Sequence, residues 1–177
     1  MLARDSLQFT NRPFISVIGG SQPTDAHVEL AFQVGRELAI RGAVVVCGGL
    51  GGVMEAVCRG AKEAGGLTVG ILPGIRREDA NPFVDIPIVT SIGFARNASV
   101  VLSGQAVIAI DGSWGTLSEI AYARTFGVPV IGLDTWNITK PELQEPVYSA
   151  AGTAVEAVEL ALEAVAKAAN TPERRPE

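Results

Sequence analysis

Three short apolar runs, each ending beside glycine and each followed by a helical pattern, constrain the fold of this 177-residue chain more than any other feature. They occupy residues 14–20, 43–47 and 106–110. Because none of them alternates apolar and polar residues, each predicts a strand that is buried on both faces. Buried strands that alternate with amphipathic helices are typical of a parallel sheet covered on both sides, so we expect one doubly wound α/β domain.

The rest of the chain continues this alternation of strand and helix. Strands are also predicted at residues 67–72, 86–90 and 128–133, and helices at residues 26–41, 52–64, 94–102, 116–126 and 154–169. The last residues are polar and include two prolines, which is typical of a frayed end. We therefore expect an N-terminal extension at residues 1–13, the α/β domain at residues 14–169 and a flexible tail at residues 170–177.

The acidic composition limits the class of ligand. The net charge is −5 and the isoelectric point is about 5.0, whereas an extended nucleic-acid interface needs a basic face, so we expect no nucleic-acid partner. No apolar stretch approaches the ~20 residues that a membrane span needs, and the N-terminus lacks the apolar segment of a secretory signal. We expect a cytoplasmic protein without a membrane partner. Backbone amides can still bind a small anion.

Few residues of this chain suit a metal site. Cys47 and Cys58 are the only cysteines and His27 is the only histidine. We expect both cysteines to be buried free thiols in a reducing compartment, and His27 to lie at the surface. A metal centre or a catalytic triad would need more such ligands, so no metal site is predicted.

Glycine-rich turns follow three of the predicted strands, at the end where a parallel sheet binds ligands. The helix after each turn begins with unpaired N–H groups and a partial positive charge, and absent side chains let a phosphate approach them. The alternative is tight packing of strand against helix. The spacing fits neither the G-x-G-x-x-G fingerprint nor a P-loop. The candidate ligand-binding residues are Gly19, Gly20, Ser21, Gly48, Gly49, Gly51, Gly52, Asp111, Gly112, Ser113, Gly115 and Thr116.

Two charged residues near these turns are candidates for chemistry. Glu119 follows Thr116 at the spacing of a capping box, so it either caps the helix or reaches a ligand. Arg96 lies near the start of a predicted helix, where a cation opposes the helix dipole. We therefore interpret Arg96 as the partner of an anion, with a solvated arginine as the alternative.

Several of these stretches resemble the LOG-like family, whose members were once described as lysine decarboxylases. The resemblance covers residues 14–133, and the branch that contains the molybdenum cofactor carrier proteins shares the I-G-G-S start and the D-G-x-x-G-T-x-x-E form. It is carried by the segments GGLGGVMEAVCRGA, VGILPG, GFARN and DGSWGTLSEIAYA. The resemblance implies a Rossmann-like fold that binds a nucleotide or phosphate, and a homo-oligomer, a dimer or tetramer, built by helix packing.

The resemblance also assigns roles to individual residues. In the family's phosphoribohydrolases an arginine and a glutamate are catalytic, and these positions fall on Arg96 and Glu119. The phosphate-binding positions fall on Gly112, Gly115 and Thr116. The chain departs from the family's pattern where Asp111-Gly112-Ser113 replaces Pro-Gly-Gly, where Asn97 replaces lysine, and where Gly93-Phe94 replaces Met-His. Asp111 would bring a carboxylate close to the phosphate.

Three functions are compatible with these residues. The first is a binding or carrier protein for a phosphorylated small molecule, either a nucleotide or a pterin such as molybdenum cofactor, with no cofactor required for the protein itself. The second is a nucleoside 5′-monophosphate phosphoribohydrolase that uses Arg96 and Glu119. The third is a module that senses nucleotides for a protein partner. The altered Pro-Gly-Gly and Arg-Lys positions favour the first or third function.

Overall fold

A seven-stranded parallel sheet organises the protein, as the buried strands predicted. The structure, a computed structural model, describes residues 12–139, 142 and 145–169. The predicted extension at residues 1–13 and tail at residues 170–177 therefore lie almost entirely outside the described residues. The strands are β1 (Phe14–Gly19), β2 (Val44–Cys47), β3 (Leu67–Leu72), β4 (Ile86–Val89), β5 (Ala106–Asp111), β6 (Val130–Thr135) and β7 (Ser149–Ala151).

Helices cover both faces of the sheet. Alternate residues of one strand point to opposite faces, so Val45 and Cys47 pack towards the helices that follow β1, β2 and β7, whereas Val44 and Val46 pack towards the two helices on either side of β5 in the chain. Cys47 and Cys58 are free and buried, and their sulfurs lie 3.5 Å apart. The helices are α1 (Asp25–Ile40), α2 (Val53–Glu63), α3 (Asn97–Ser103), α4 (Trp114–Phe126) and α5 (Ala154–Ala169).

The order of the strands places the switch point of the sheet beside β1. The order is β4-β3-β2-β1-β5-β6-β7, so the chain winds outwards from β1 to β4 and then returns to the other side of β1 with β5. Gly19 at the end of β1 pairs with Ile110 near the end of β5. Ligands of open α/β sheets bind in the crevice at such a point, beyond the carboxyl ends of the strands.

Several elements differ from those predicted, and β6, for example, covers Val130–Thr135 rather than residues 128–133. Helix α4 begins at Trp114 rather than at residue 116, and a short 3-10 turn, Gly93–Arg96, replaces the first part of the helix predicted at 94–102. Strand β7 (Ser149–Ala151) was not predicted, because three small residues carry no hydrophobic pattern. Within the described residues, no helix combines the length and the apolar character that crossing a membrane requires.

Candidate functional site

A cavity of about 240 Å³ lies at the carboxyl ends of β1, β2 and β5, at the switch point. Eight of the residues predicted from the sequence line it together. These are Gly19, Ser21, Gly48, Arg96, Ser113, Gly115, Thr116 and Glu119. The other six predicted residues lie in or beside the same turns without lining the cavity, namely Gly20, Gly49, Gly51, Gly52, Asp111 and Gly112.

Arg96 and Glu119 are the two charged residues of this cavity. Both are buried, with 7% and 6% of their surface exposed. Arg96 Nη1 lies 3.7 Å from Glu119 Oε1, which is an ion pair but too long for a hydrogen bond. Arg96 Nε is the one buried side-chain nitrogen or oxygen in the described part of the chain that has no hydrogen-bond partner. A solvated Arg96, the alternative interpretation of the sequence, is therefore wrong.

Glu119 is buried because it belongs to the inward face of α4. Thr116, Glu119, Ile120 and Ala123 follow the helical spacing of a core-facing stripe, and all four are buried. Burial raises the pKa of the Glu119 carboxyl to about 7, and the charge of Arg96 opposes only part of this shift. Burial likewise lowers the pKa of the Arg96 guanidinium, against the opposing effect of Glu119. Glu119 thus exchanges a proton near neutral pH, while Arg96 remains a cation.

The capping role considered for Glu119 is wrong, since α4 starts two residues earlier than expected. Ser113 is the N-cap residue, and the third helical position is Thr116. The backbone N–H of Ser113 donates to the Thr116 hydroxyl at 3.3 Å. Glu119 therefore lies beyond the capping box, and its carboxylate forms the ion pair with Arg96.

Gly48 provides the space in which the Arg96 guanidinium lies. A Cβ built on Gly48 would overlap all three terminal atoms of the guanidinium. The turn after β2 and the turn before α3 thus meet through an arginine and a missing side chain. Gly48 thus makes room for a charged residue of the site, which differs from simple packing of strand against helix.

Most of the other glycines are explained by packing or by backbone conformation. A Cβ on Gly19 would contact Val53, and one on Gly112 would overlap the indole of Trp136. Gly49 and Gly52 have φ of +75° and +71°, in the left-handed region that favours glycine. Packing therefore accounts for Gly19 and Gly112, and backbone conformation accounts for Gly49 and Gly52.

Gly51 and Gly115 are different, because the packing of the protein itself does not require glycine at these two positions. The nearest atom to a Cβ on Gly51 is Glu55 Oε2 at 3.8 Å, and the nearest to a Cβ on Gly115 is Ser113 Oγ at 3.4 Å. Gly115 lines the cavity within the first turn of α4, where helix N–H groups have no intrahelical partner. A side chain here would occupy cavity space.

Asp111 does not line the Arg96 cavity. Its carboxylate lies over Gly20 and 3.8 Å from His27 Nδ1. His27, expected at the surface, is largely covered, and its Nε2 lies 2.9 Å from Asp134 Oδ2. The carboxylate that the sequence placed near a phosphate is thus drawn towards α1 instead.

Four lining residues were not predicted as site residues, namely Leu50, Met54, Phe94 and Asn97. Leu50 and Met54 flank predicted glycines, and Asn97 directly follows Arg96, so adjacency was the available signal. The Asn97 side-chain amide donates to Ser118 Oγ at 3.1 Å. Phe94 was noted only as part of the pair that replaces the family's Met-His, because an apolar residue in a helical stretch indicates core.

A larger cavity, about 580 Å³, lies elsewhere, beside β6, β7 and α5. Its charged lining residues are all exposed, and one pair, Lys167 and Glu163, forms an ion pair at 3.5 Å. Exposed charges of this kind contribute little energy and need no ligand. The buried, incompletely paired charges of the smaller cavity make it the better candidate.

Comparison with known proteins adds to this geometry. The model of the SLOG cluster4 family matches residues 12–165. The cytokinin riboside 5′-monophosphate phosphoribohydrolase of Mycobacterium tuberculosis is 35% identical over 133 residues, which cover 69% of this chain and 71% of that relative.

Two solved structures share the fold over nearly their whole length. The molybdenum cofactor binding protein of the phototrophic bacterium Rippkaea orientalis has a TM-score of 0.79 and 38% identity, covering 90% of this chain and 98% of that one. The molybdenum cofactor carrier protein of Chlamydomonas reinhardtii has a TM-score of 0.75 and 32% identity, covering 88% and 99%. The relatives thus include both carriers and a hydrolase.

Proposed function

The chain belongs to the SLOG cluster4 family, as the resemblance to LOG-like proteins predicted, and we propose that it is a binding or carrier protein for a phosphorylated small molecule. One observation carries the proposal. Arg96 is buried beside the start of α4 with an unpartnered Nε and a carboxylate partner beyond hydrogen-bond distance. Burying a cation with incomplete pairing is costly, and a bound anion would offset that cost.

The phosphate would be held from two directions. The Arg96 guanidinium would donate to phosphate oxygens in the planar geometry that suits this pairing. The first N–H groups of α4 would donate from the other side, and Gly115 leaves the approach to them open. A protonated Glu119 would lower the repulsion between the anion and the site.

The ligand class follows from the relatives. Proteins named for molybdenum cofactor binding or carriage share this fold at 38% and 32% identity. A phosphorylated pterin such as molybdenum cofactor, or a nucleotide, is the ligand that we propose. It is carried as cargo, and the protein requires no further cofactor.

Calorimetric titration with ribose 5-phosphate and AMP tests this proposal. We expect saturable binding by the wild-type protein and loss of at least tenfold in affinity for Arg96→Ala, since a buried charged hydrogen bond contributes about 1.5–3 kcal/mol. Arg76→Ala is the matched control, because Arg76 is largely exposed and pairs with Asp79. Equal affinity in wild type and Arg96→Ala would reject the proposal.

A second function, hydrolysis of a nucleoside 5′-monophosphate, is favoured by the pKa of Glu119 near 7 and by the hydrolase among the relatives. Water would add to C1′ of the ribose while the bond to the base breaks, and the base would leave with the bonding electron pair and gain a proton. Glu119 would stabilise the positive charge on the sugar or accept the proton of the water, and Arg96 would hold the phosphate.

Incubation with nucleoside monophosphates separates the two functions. Release of free base that disappears in Glu119→Ala, but persists in the control Glu63→Ala at the exposed end of α2, would establish the hydrolase. Binding of the nucleoside monophosphate without release of free base would support the carrier function over the hydrolase.

We also propose a homo-oligomer, a dimer or tetramer. Helix α4 exposes Tyr122 and Phe126, whose rings stack 6.1 Å apart, and Leu102 is exposed on α3, the helix that packs against α4. Contiguous exposed apolar residues of this kind mark interaction surfaces. Light scattering of the wild type and of Phe126→Ser should show a change in mass if α4 forms the interface.

A further inference from the structure

A second cavity, of about 440 Å³, opens directly beside the Arg96 cavity. Phe94, Asn97 and Gly115 line both of them, so the two cavities adjoin at these residues and together have two chemically different ends. The inner end holds buried charges. The outer end is bordered by aromatic side chains, including Trp114 and Tyr122.

Two of these aromatic side chains are unusually exposed. Phe94 is 86% exposed and Trp114 is 77% exposed. Large aromatic side chains normally contribute to the core, and two exposed ones beside a cavity that holds buried charges indicate a surface used for binding.

Trp114 is held in place by the protein rather than left to move. Its ring lies 5.3 Å from the ring of Trp136, at an angle of 37°. The Trp136 indole N–H donates to the Ser113 carbonyl oxygen at 3.1 Å, and Gly112 leaves room for that indole. The turn between β5 and α4 thus supports a fixed aromatic platform next to the start of α4.

We propose that Phe94 and Trp114 bind the planar heteroaromatic ring of the same ligand whose phosphate binds at Arg96. The ligand class is then a phosphorylated purine or pterin. A sugar phosphate that lacks a heteroaromatic ring is excluded as the preferred ligand. This inference rests on the proposed function. Stacking on aromatic side chains recognises any flat heterocycle, whereas the buried arginine recognises the phosphate.

AMP differs from ribose 5-phosphate by the adenine at C1′. Calorimetric titration with both ligands therefore isolates the contribution of the heteroaromatic ring to the affinity. We expect AMP to bind at least tenfold more tightly than ribose 5-phosphate. Phe94→Ala and Trp114→Ala should each weaken AMP binding about tenfold and leave ribose 5-phosphate binding unchanged. Both side chains are mostly exposed, so the variants should fold, which thermal unfolding verifies.

Ile40→Ala is the control, because Ile40 is an exposed apolar residue at the end of α1 that lines neither cavity. It should alter neither affinity. A phosphorylated pterin in place of AMP then distinguishes the two ring systems: the ligand with the larger loss in Trp114→Ala is the one that stacks there.

Three results would overturn the inference. If both ligands bind equally and lose affinity only in Arg96→Ala, the phosphate site stands and the ring site fails. If neither ligand binds, the proposed function fails as well. If Phe94→Ala or Trp114→Ala changes the oligomeric mass and leaves both affinities intact, the aromatic surface is a contact between copies of the chain.

Discussion

Gly48 and Arg96 fit together as a cleft and the group that fills it. The guanidinium occupies the space that a Cβ on Gly48 would take. The two residues come from separate turns, one after β2 and one before α3. Among the described residues that line the cavity, Arg96 is the only arginine, and its contact with Gly48 fixes its position. The proposed anion binding would therefore depend on a glycine that donates nothing itself.

Gly48→Ala should therefore displace Arg96 and weaken binding of ribose 5-phosphate by at least tenfold. The new methyl group overlaps the guanidinium, and the buried arginine must move or lose its ion pair with Glu119. Calorimetric titration measures the loss. The control is Gly74→Ala, where the nearest atom to a new Cβ is Asp79 Oδ2 at 3.4 Å. Unchanged affinity in a folded Gly48→Ala protein would show that the position of Arg96 does not matter.

Gly115→Val should lower ligand affinity by a different route, since it fills the cavity and blocks access to the first N–H groups of α4. Its nearest neighbour, Ser113 Oγ at 3.4 Å, leaves room for the first carbon, so the fold should tolerate the change. Titration with AMP measures the effect, and circular dichroism checks the fold.

Gly152→Val, in the turn before α5, serves as the comparison because its nearest atom is Glu156 Oε2 at 3.6 Å. We expect it to bind AMP as the wild type does. If Gly115→Val also binds normally while folded, the phosphate does not approach the start of α4.

Stability should fall as the pH rises towards neutrality, and Glu119 should cause part of that fall. The pKa of its carboxyl is about 7 in the folded state against 4.5 for the unperturbed group, so the folded state holds its proton more tightly. The stabilisation is complete below pH 4.5 and is lost as the pH rises to about 7. By the linkage relation the effect is on the order of 3 kcal/mol at most.

Urea unfolding at a series of pH values measures this effect. Glu119→Gln, which does not titrate, should show a flatter dependence between pH 5 and about pH 7 than the wild type. Glu63→Gln is the control at an exposed position and should follow the wild type. Parallel curves for wild type and Glu119→Gln would mean that Glu119 is ionised throughout this range.

Anion affinity should also change with pH, over the range around the Glu119 pKa of about 7. Sulfate is a suitable probe, because unlike a phosphate monoester it does not titrate near pH 6. As the pH falls from about 8 to about 6, Glu119 gains a proton and the cavity keeps only the positive charge of Arg96, so sulfate should bind several-fold more tightly. In Glu119→Gln this pH dependence should disappear. A wild-type affinity that is constant over the range would contradict it.

The elements of the sheet could be predicted because their signals are local. Strands such as β2 (Val44–Cys47) are continuous apolar runs ended by glycine, and the structure has β2 within one residue of the predicted range, 43–47. β7 (Ser149–Ala151) has no such signal, since its small residues join the sheet only through their neighbours in β6. The start of α4 was missed because Trp114 and Gly115 are poor helix formers that a capping residue, Ser113, brings into the first turn.

The site was predictable in its parts but not in its assembly. The sequence pointed to Arg96 and Glu119, but it could not show that both are buried or that they face each other, because those facts arise from contacts between distant segments. Nor could it separate Gly48, which makes room for Arg96, from Gly112, which makes room for Trp136. Phe94 escaped notice because exposure is a property of the folded chain.

A crystal structure with bound AMP tests the central claim most directly. We predict that the phosphate lies within hydrogen-bond distance of the Arg96 guanidinium and of the first N–H groups of α4, at the switch point between β1 and β5. A phosphate bound elsewhere, for example in the larger cavity beside α5, with Glu119 still the ion-pair partner of Arg96 and no phosphate oxygen near the guanidinium, would contradict the account.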